Sequence, residues 1–159
     1  MKTFTYSLLI LCVIGLALVR PDAARASGYG SDTSRAPADP DVVRAEKAIK
    51  EKNWDTAIEL LNKAVKRDPK NADILNLMGF TERNRGNLDA AFKYYEQALA
   101  INPRHRGAHE YIGEAYLMAG DLAKAEEHLA KLDKLCFFPC EEYSDLKAAV
   151  ATYKQQHPK

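Results

Sequence analysis

Residues 72–105, ADILNLMGFTERNRGNLDAAFKYYEQALAINPRH, decide the fold. Leu75, Met78 and Gly79 fall three and four residues apart before the polar turn Arg85-Gly86-Asn87, and Ala91, Tyr95 and Ala98 repeat that spacing after it. Such spacing puts apolar side chains on one face of a helix, so the stretch reads as two amphipathic helices joined by a tight turn. Pro103 lacks an amide hydrogen and stops the second helix from running on.

The same 34 residues recur on both sides. Ala45, Gly79 and Gly113 are in phase, as are Trp54, Leu88 and Leu122, then Ala57, Ala91 and Ala125, then Leu61, Tyr95 and Leu129. Gly86 and Gly120 keep the interval at the turns, and Pro69 and Pro103 close the first two units. A fixed period of this length marks stacked supersecondary units. One helical hairpin cannot bury its apolar faces alone, so neighbours must share a core and the last exposed face must be covered. After Pro139, Tyr143, Leu146, Ala149, Val150 and Tyr153 return at three- and four-residue spacing, with Glu141, Glu142, Lys147 and Lys154 between them. That pattern predicts a solvating C-terminal capping helix over 141–155.

This series resembles the tetratricopeptide repeat, whose pattern runs Trp-x2-Leu-Gly-x2-Tyr, then Ala-x3-Phe, then Pro. Units at about 38–71, 72–105 and 106–139 carry the resemblance. The middle one follows it most closely, although Glu82 stands at a usual aromatic position. The third keeps Gly113, Tyr116, Gly120 and Ala125. Asp41 and Arg44 in the first unit, and Leu132 and Phe137 in the third, depart from the pattern at the two ends, where atypical repeats are expected. The expected fold is therefore all-α, an α-solenoid of three such hairpins plus the capping helix, with the repeat domain at 41–155.

The N-terminus reads as an export signal. Lys2 gives a positive start, Leu8 to Val19 is an apolar run too short to span a bilayer, and Ala24-Arg25-Ala26 is a small-x-small cleavage site. Cleavage is expected after Ala26. Leu11 before Cys12 is not the small residue that a bacterial lipoprotein signal requires. Residues 27–40, rich in Gly, Ser, Asp and Pro, read as a flexible linker.

The 159 residues carry 23 Lys and Arg against 22 Asp and Glu, with 47% hydrophobic residues, which suffices for a core. Losing Lys2, Arg20, Arg25 and Asp22 with the signal leaves 20 basic and 21 acidic residues, a formal charge of −1. The excess positive charge that nucleic acid or an anionic membrane surface would select is missing, so neither is an expected partner. Among the remaining residues only Cys136 and Cys140 are cysteines. Export favours a disulfide between them that fixes the angle of the capping helix. A redox role is the alternative, although thioredoxin-like sites use Cys-x-x-Cys and this spacing is one residue longer. Haem attachment is excluded because Glu141, not His, follows Cys140.

His128 with Cys136 and Cys140, or His105 with His109, do not make convincing metal ligand sets, and packing or solvation accounts for these histidines. No Ser/His/Asp set, paired-carboxylate signature or phosphate-cradling glycine loop stands out. No catalytic residue, cofactor or metal is expected. Segment 135–143, LCFFPCEEY, resembles the tails of small exported bacterial tetratricopeptide proteins, which implies a periplasmic or secreted location.

The repeat resemblance implies a concave binding face lined by the first helix of each pair. In this chain that gives Val42, Glu46, Ile49 and Lys50, then Asn76, Phe80, Arg83 and Asn84, then Glu110, Glu114, Leu117 and Met118. The family's clamp for a terminal carboxylate falls here on Val42, Glu46, Leu77, Gly107 and Tyr111 and is absent. Phe80, Leu117 and Met118 suggest instead an apolar stripe flanked by Asn76, Arg83 and Asn84. The expected function is an exported, non-catalytic scaffold or adaptor that binds another protein or a peptide segment. The alternative is an extracytoplasmic thiol-redox or metal-handling protein using Cys136 and Cys140.

Overall fold

The computed structural model describes residues 39–158, and the expected signal and all but the last two residues of the expected linker lie outside them. Seven α-helices follow in order: α1 (Pro40–Lys50), α2 (Trp54–Arg67), α3 (Ala72–Asn84), α4 (Leu88–Ile101), α5 (Arg106–Met118), α6 (Leu122–Leu135) and α7 (Glu141–Gln156). They pair as three antiparallel hairpins, α1 with α2, α3 with α4 and α5 with α6, each stacked on the next. First helices also touch along the array, α3 with α5 and α5 with α7, and so share one face. This is the expected helical solenoid. α7 takes the place that a fourth unit's first helix would fill.

Short polar side chains start the helices. Asn53, Asn71 and Asp121 accept hydrogen bonds from the backbone amides of Thr56, Ile74 and Lys124, which the first helical turn leaves without partners. His105 does the same for α5 through Nδ1, accepting from the Ala108 amide at 3.1 Å. Within each hairpin the turn is the same motif. Gly86 and Gly120 adopt φ of +83° and +82°, and Lys52 adopts +56° at the matching position. The following amide then reaches back five residues: Asn53 to Ala48, Asn87 to Glu82 and Asp121 to Tyr116.

Ala57, Ala91 and Ala125 have no exposed surface, which is how the paired helices come close. Gly79 goes further. A Cβ there would lie 2.5 Å from Cε1 of the fully buried Tyr95, so the tyrosine ring occupies the space a side chain would need. At Gly113 that space is taken by Leu146 of α7, whose Cδ2 would lie 2.6 Å from an added Cβ. One repeat position thus serves two purposes, internal packing in the second unit and docking of the cap in the third.

Two departures from the repeat pattern have local explanations. Asp41 is not a misplaced core residue: with Asp39 it takes the Arg67 guanidinium at 2.6 to 2.8 Å, tying the start of α1 to the end of α2. Those hydrogen bonds hold the Asp39 carboxyl down at about 2. Buried Glu82 accepts from Arg85 at 3.0 and 3.1 Å and from Asn87 at 3.2 Å, and Arg85 also reaches Asp55 of α2. A charge replaces the usual aromatic because it is fully partnered across the turn.

Candidate protein-binding face

Along the shared face, aromatic side chains from successive units meet, Trp54 and Phe80 edge to face and Phe80 and Tyr111 tilted. Trp54 and Phe80 have ring centroids 6.2 Å apart, and Phe80 and Tyr111 5.0 Å. Arg83 lies beside this ladder, its guanidinium carbon 5.4 Å from the Phe80 ring and 5.5 Å from Tyr111, and pairs with Glu114 of the next unit. Only 12% of the Arg83 side chain is exposed, so the ion pair fastens α3 to α5. Among the described residues, the buried Arg83 Nε has no hydrogen-bond partner. Asn84 is exposed, and its amide donates at 2.8 Å to the Phe80 carbonyl one turn back.

Deeper in the face, Asn76, Gly107, Glu110 and Tyr111 line a cavity of about 250 Å3, closed on its far side by acidic residues of α7. Asn76 and Glu110 are each more than nine-tenths buried. Burial pushes the Glu110 carboxyl up to about 8, helped by the like charges of Glu114, Asp145 and Glu142 and opposed by Arg83. Gly107 leaves the cavity wall open, because a Cβ there would lie 3.3 Å from Asn76 Nδ2.

The expected face is assembled in part. Asn76, Phe80, Arg83, Glu110 and Glu114 come together, while Met118 is 56% exposed at the edge. Leu117 must be withdrawn from the apolar stripe: it is buried in a core cluster with Leu132, Leu146 and Val150. Helix α7 covers that side of α5, which repeat position alone did not disclose. Val42 packs into the first unit's core and Ile49 is half-buried, leaving Glu46 and Lys50 exposed. In the sequence Tyr111 stands out only as a mismatch to the carboxylate clamp, and Glu141 and Glu142 only as polar residues between the apolar positions of the capping helix. Their one signal was the spacing of Glu141 and Asp145, four apart on a single helical face.

Away from this face, Cys136 and Cys140 are joined, and the disulfide closes the loop between the end of α6 and the start of α7. Phe137 and Phe138 project from that loop, 93% and 76% exposed. His109 and His128 are buried together, Nδ1 to Nδ1 at 2.9 Å, with His109 Nε2 3.0 Å from the Pro103 carbonyl. A carbonyl only accepts, so neutral His109 donates from Nε2 and accepts at Nδ1 from His128. Burial holds both imidazoles down, His128 at about 4. Among the described residues, no group of three or more His, Cys, Asp or Glu side chains is placed to hold a metal ion.

Two tetratricopeptide-repeat profiles match the chain, over residues 43–104 and 83–150. Together with the geometry above they place the chain in the tetratricopeptide-repeat family. Among relatives, human protein O-mannosyl-transferase TMTC3 is 35% identical over 75 residues, which is 47% of this chain but 8% of that protein. The chain thus matches about a tenth of the length of the curated relatives. Solved structures share the fold, two of which illustrate it. The first tetratricopeptide domain of Spaghetti (RPAP3), bound to the HSP90 peptide SRMEEVD, superposes with a TM-score of 0.63 at 19% identity, covering 70% of this chain and 89% of that one. The Yersinia enterocolitica type III secretion translocator chaperone SycD gives 0.66 at 16% identity, covering 75% and 84%.

Proposed function

We propose that this chain is an exported, non-catalytic adaptor that holds a peptide segment of a partner protein along the face made by α3, α5 and α7. The observation that carries the reading is the prearranged set on that face: an aromatic ladder, an interhelical ion pair and a cavity with buried polar groups, all on rigid helices. A structure of the same fold supports a peptide-binding role, the RPAP3 domain being bound to the acidic HSP90 peptide SRMEEVD. Here the cavity is itself acidic, so an acidic tail of that kind would meet like charge. Export rests on Lys2, the apolar run to Val19 and Ala24-Arg25-Ala26, and it accords with a disulfide at Cys136 and Cys140.

Two measurements test the reading. Intact mass of the protein from its native host should place the mature N-terminus at Ser27, and retention of Met1 to Val19 would overturn export. A photo-crosslinking residue at Met118, on the proposed face, should capture one partner from the native compartment, whereas the same residue at Gln97 on exposed α4 should not. Equal or better capture from Gln97 would move binding off this face.

A further inference from the structure

The cavity between α3, α5 and α7 has a consistent chemical deficit. Its walls carry the carboxylates of Glu110, Glu141, Glu142 and Asp145 and no basic side chain. Two nearby arginines are already committed, Arg83 to Glu114 and, at 3.5 Å, Arg106 to Glu142. Glu110 is 8% exposed, and among the described residues it has neither a hydrogen-bond nor an ion-pair partner. Asn76, 7% exposed, lines the same cavity, and among the described residues its buried Oδ1 has no partner.

A buried acceptor without a donor costs free energy that a ligand carrying N–H groups would recover. Asn76 Oδ1 is an unmet acceptor, and the ionised carboxylates of Glu141, Glu142 and Asp145 in the same wall are acceptors too, so the fitting ligand is a cation with several N–H donors. A bare metal ion fits poorly, because the carboxylates do not converge as a ligand set. A guanidinium or ammonium on a flexible stem suits a space of about 250 Å3 beside the Tyr111 ring.

We infer that this cavity is the anchor site for a basic side chain, arginine or lysine, of the bound peptide. The inference rests on the adaptor reading and gives its partner a chemistry: a segment with a basic residue held at Glu110 and Asn76. Aligned on that anchor, the flanking residues run along the Phe80 to Tyr111 ladder. Binding strengthens as Glu110 ionises, so affinity should rise from pH 6 to pH 9. The charged groups that set this dependence are Glu114 on α5, Glu141, Glu142 and Asp145 on α7, and Arg83 on α3.

The test is a heteronuclear NMR titration of the full chain with N-acetyl-arginine amide and N-acetyl-lysine amide, using N-acetyl-citrulline amide as the neutral isostere of arginine. Saturable shifts of the Asn76, Gly107, Glu110 and Tyr111 amides with the two cations, and none with citrulline, are expected. Replacing Glu141→Gln and Asp145→Asn, both exposed, should weaken arginine binding about five- to tenfold while leaving the remaining spectrum intact. Equal shifts with citrulline, shifts centred elsewhere, or calcium producing these shifts where arginine produces none would each overturn the assignment. If the arginine probe fails while crosslinking from Met118 persists, the adaptor reading stands and the cationic anchor is wrong. If the probe binds and Met118 captures nothing, the anchor holds and the adaptor reading falls.

Discussion

Replacing Gly79 with alanine tests the packing of the second unit directly. The new methyl would sit 2.5, 2.6 and 2.9 Å from Cε1, Cδ1 and Cζ of Tyr95. Ordinary carbon contacts lie at about 3.5 to 4.0 Å, so the ring must retreat by roughly 1 Å. It has little room to do so, being fully buried with its centroid 6.5 Å from Tyr111. Overpacking of this kind costs about 1–3 kcal/mol. Against it stands the better helix propensity of alanine, about 0.5–1 kcal/mol. The net expectation is a loss of about 1–2 kcal/mol, or a fall in Tm of roughly 3–8 °C for an array this size. Urea unfolding followed by far-UV circular dichroism would measure it, with a Tyr95→Leu background as the control. In that background the alanine should cost little, because the ring atoms it strikes are gone. A Gly79→Ala protein as stable as the parent, or one whose loss is unchanged when Tyr95 is leucine, would refute the reasoning.

Other perturbations follow from local features. Changing both Cys136 and Cys140 to serine opens a five-residue ring, and loop-closure entropy predicts a loss of about 2 kcal/mol, read as a lower melting temperature that reductant no longer alters. Lys52 holds a left-handed conformation that its counterparts fill with glycine, so Lys52→Gly should stabilise by up to about 1 kcal/mol in the same urea assay. His128 lies below its unfolded value of 6.5, so its contribution to stability is complete above pH 6.5 and is lost as pH falls towards about 4. Glu110, raised to about 8, acts oppositely, weakening the fold as pH rises above its unfolded value of 4.5. A His128→Asn variant keeps a donor for His109 and shares the Glu110 effect, so its stability should fall less steeply than the parent's between pH 6.5 and pH 4. Parallel curves would show that the histidine does not titrate as described.

Much of this architecture was legible in the chain because a 34-residue period constrains many positions at once. Hairpin limits, tight turns and the cap over 141–155 all follow from phase and spacing. What stayed hidden depends on how helices rotate against partners distant in sequence. His109 and His128, 19 residues apart, read as separate packing or solvated residues, and only the crossing of α5 and α6 makes them a hydrogen-bonded pair. Asp41 broke the pattern for a reason located in Arg67, a full hairpin away. Leu117 passed for a surface anchor, and the acids of α7 for a solvated face, because nothing local said that α7 would lie against α5. The set at Asn76, Phe80, Arg83, Glu110 and Glu114 was accessible from repeat position, whereas their mutual pairing was not.

The seating of Leu146 over Gly113 also sets a measure. Leu146 fills the hollow at Gly113 against which a following unit's first helix would pack, so among the described residues the face runs from α3 to α7. From α3 through α5 to α7 there are two helix spacings of about 10 Å each, roughly 20 Å in all. An extended chain advances about 3.3 Å per residue, so that width matches about six residues. In the proposed adaptor role, that width sets the length of segment the face can hold. A partner with a longer matching segment would overhang it, and one with a shorter segment would leave part of the face in water.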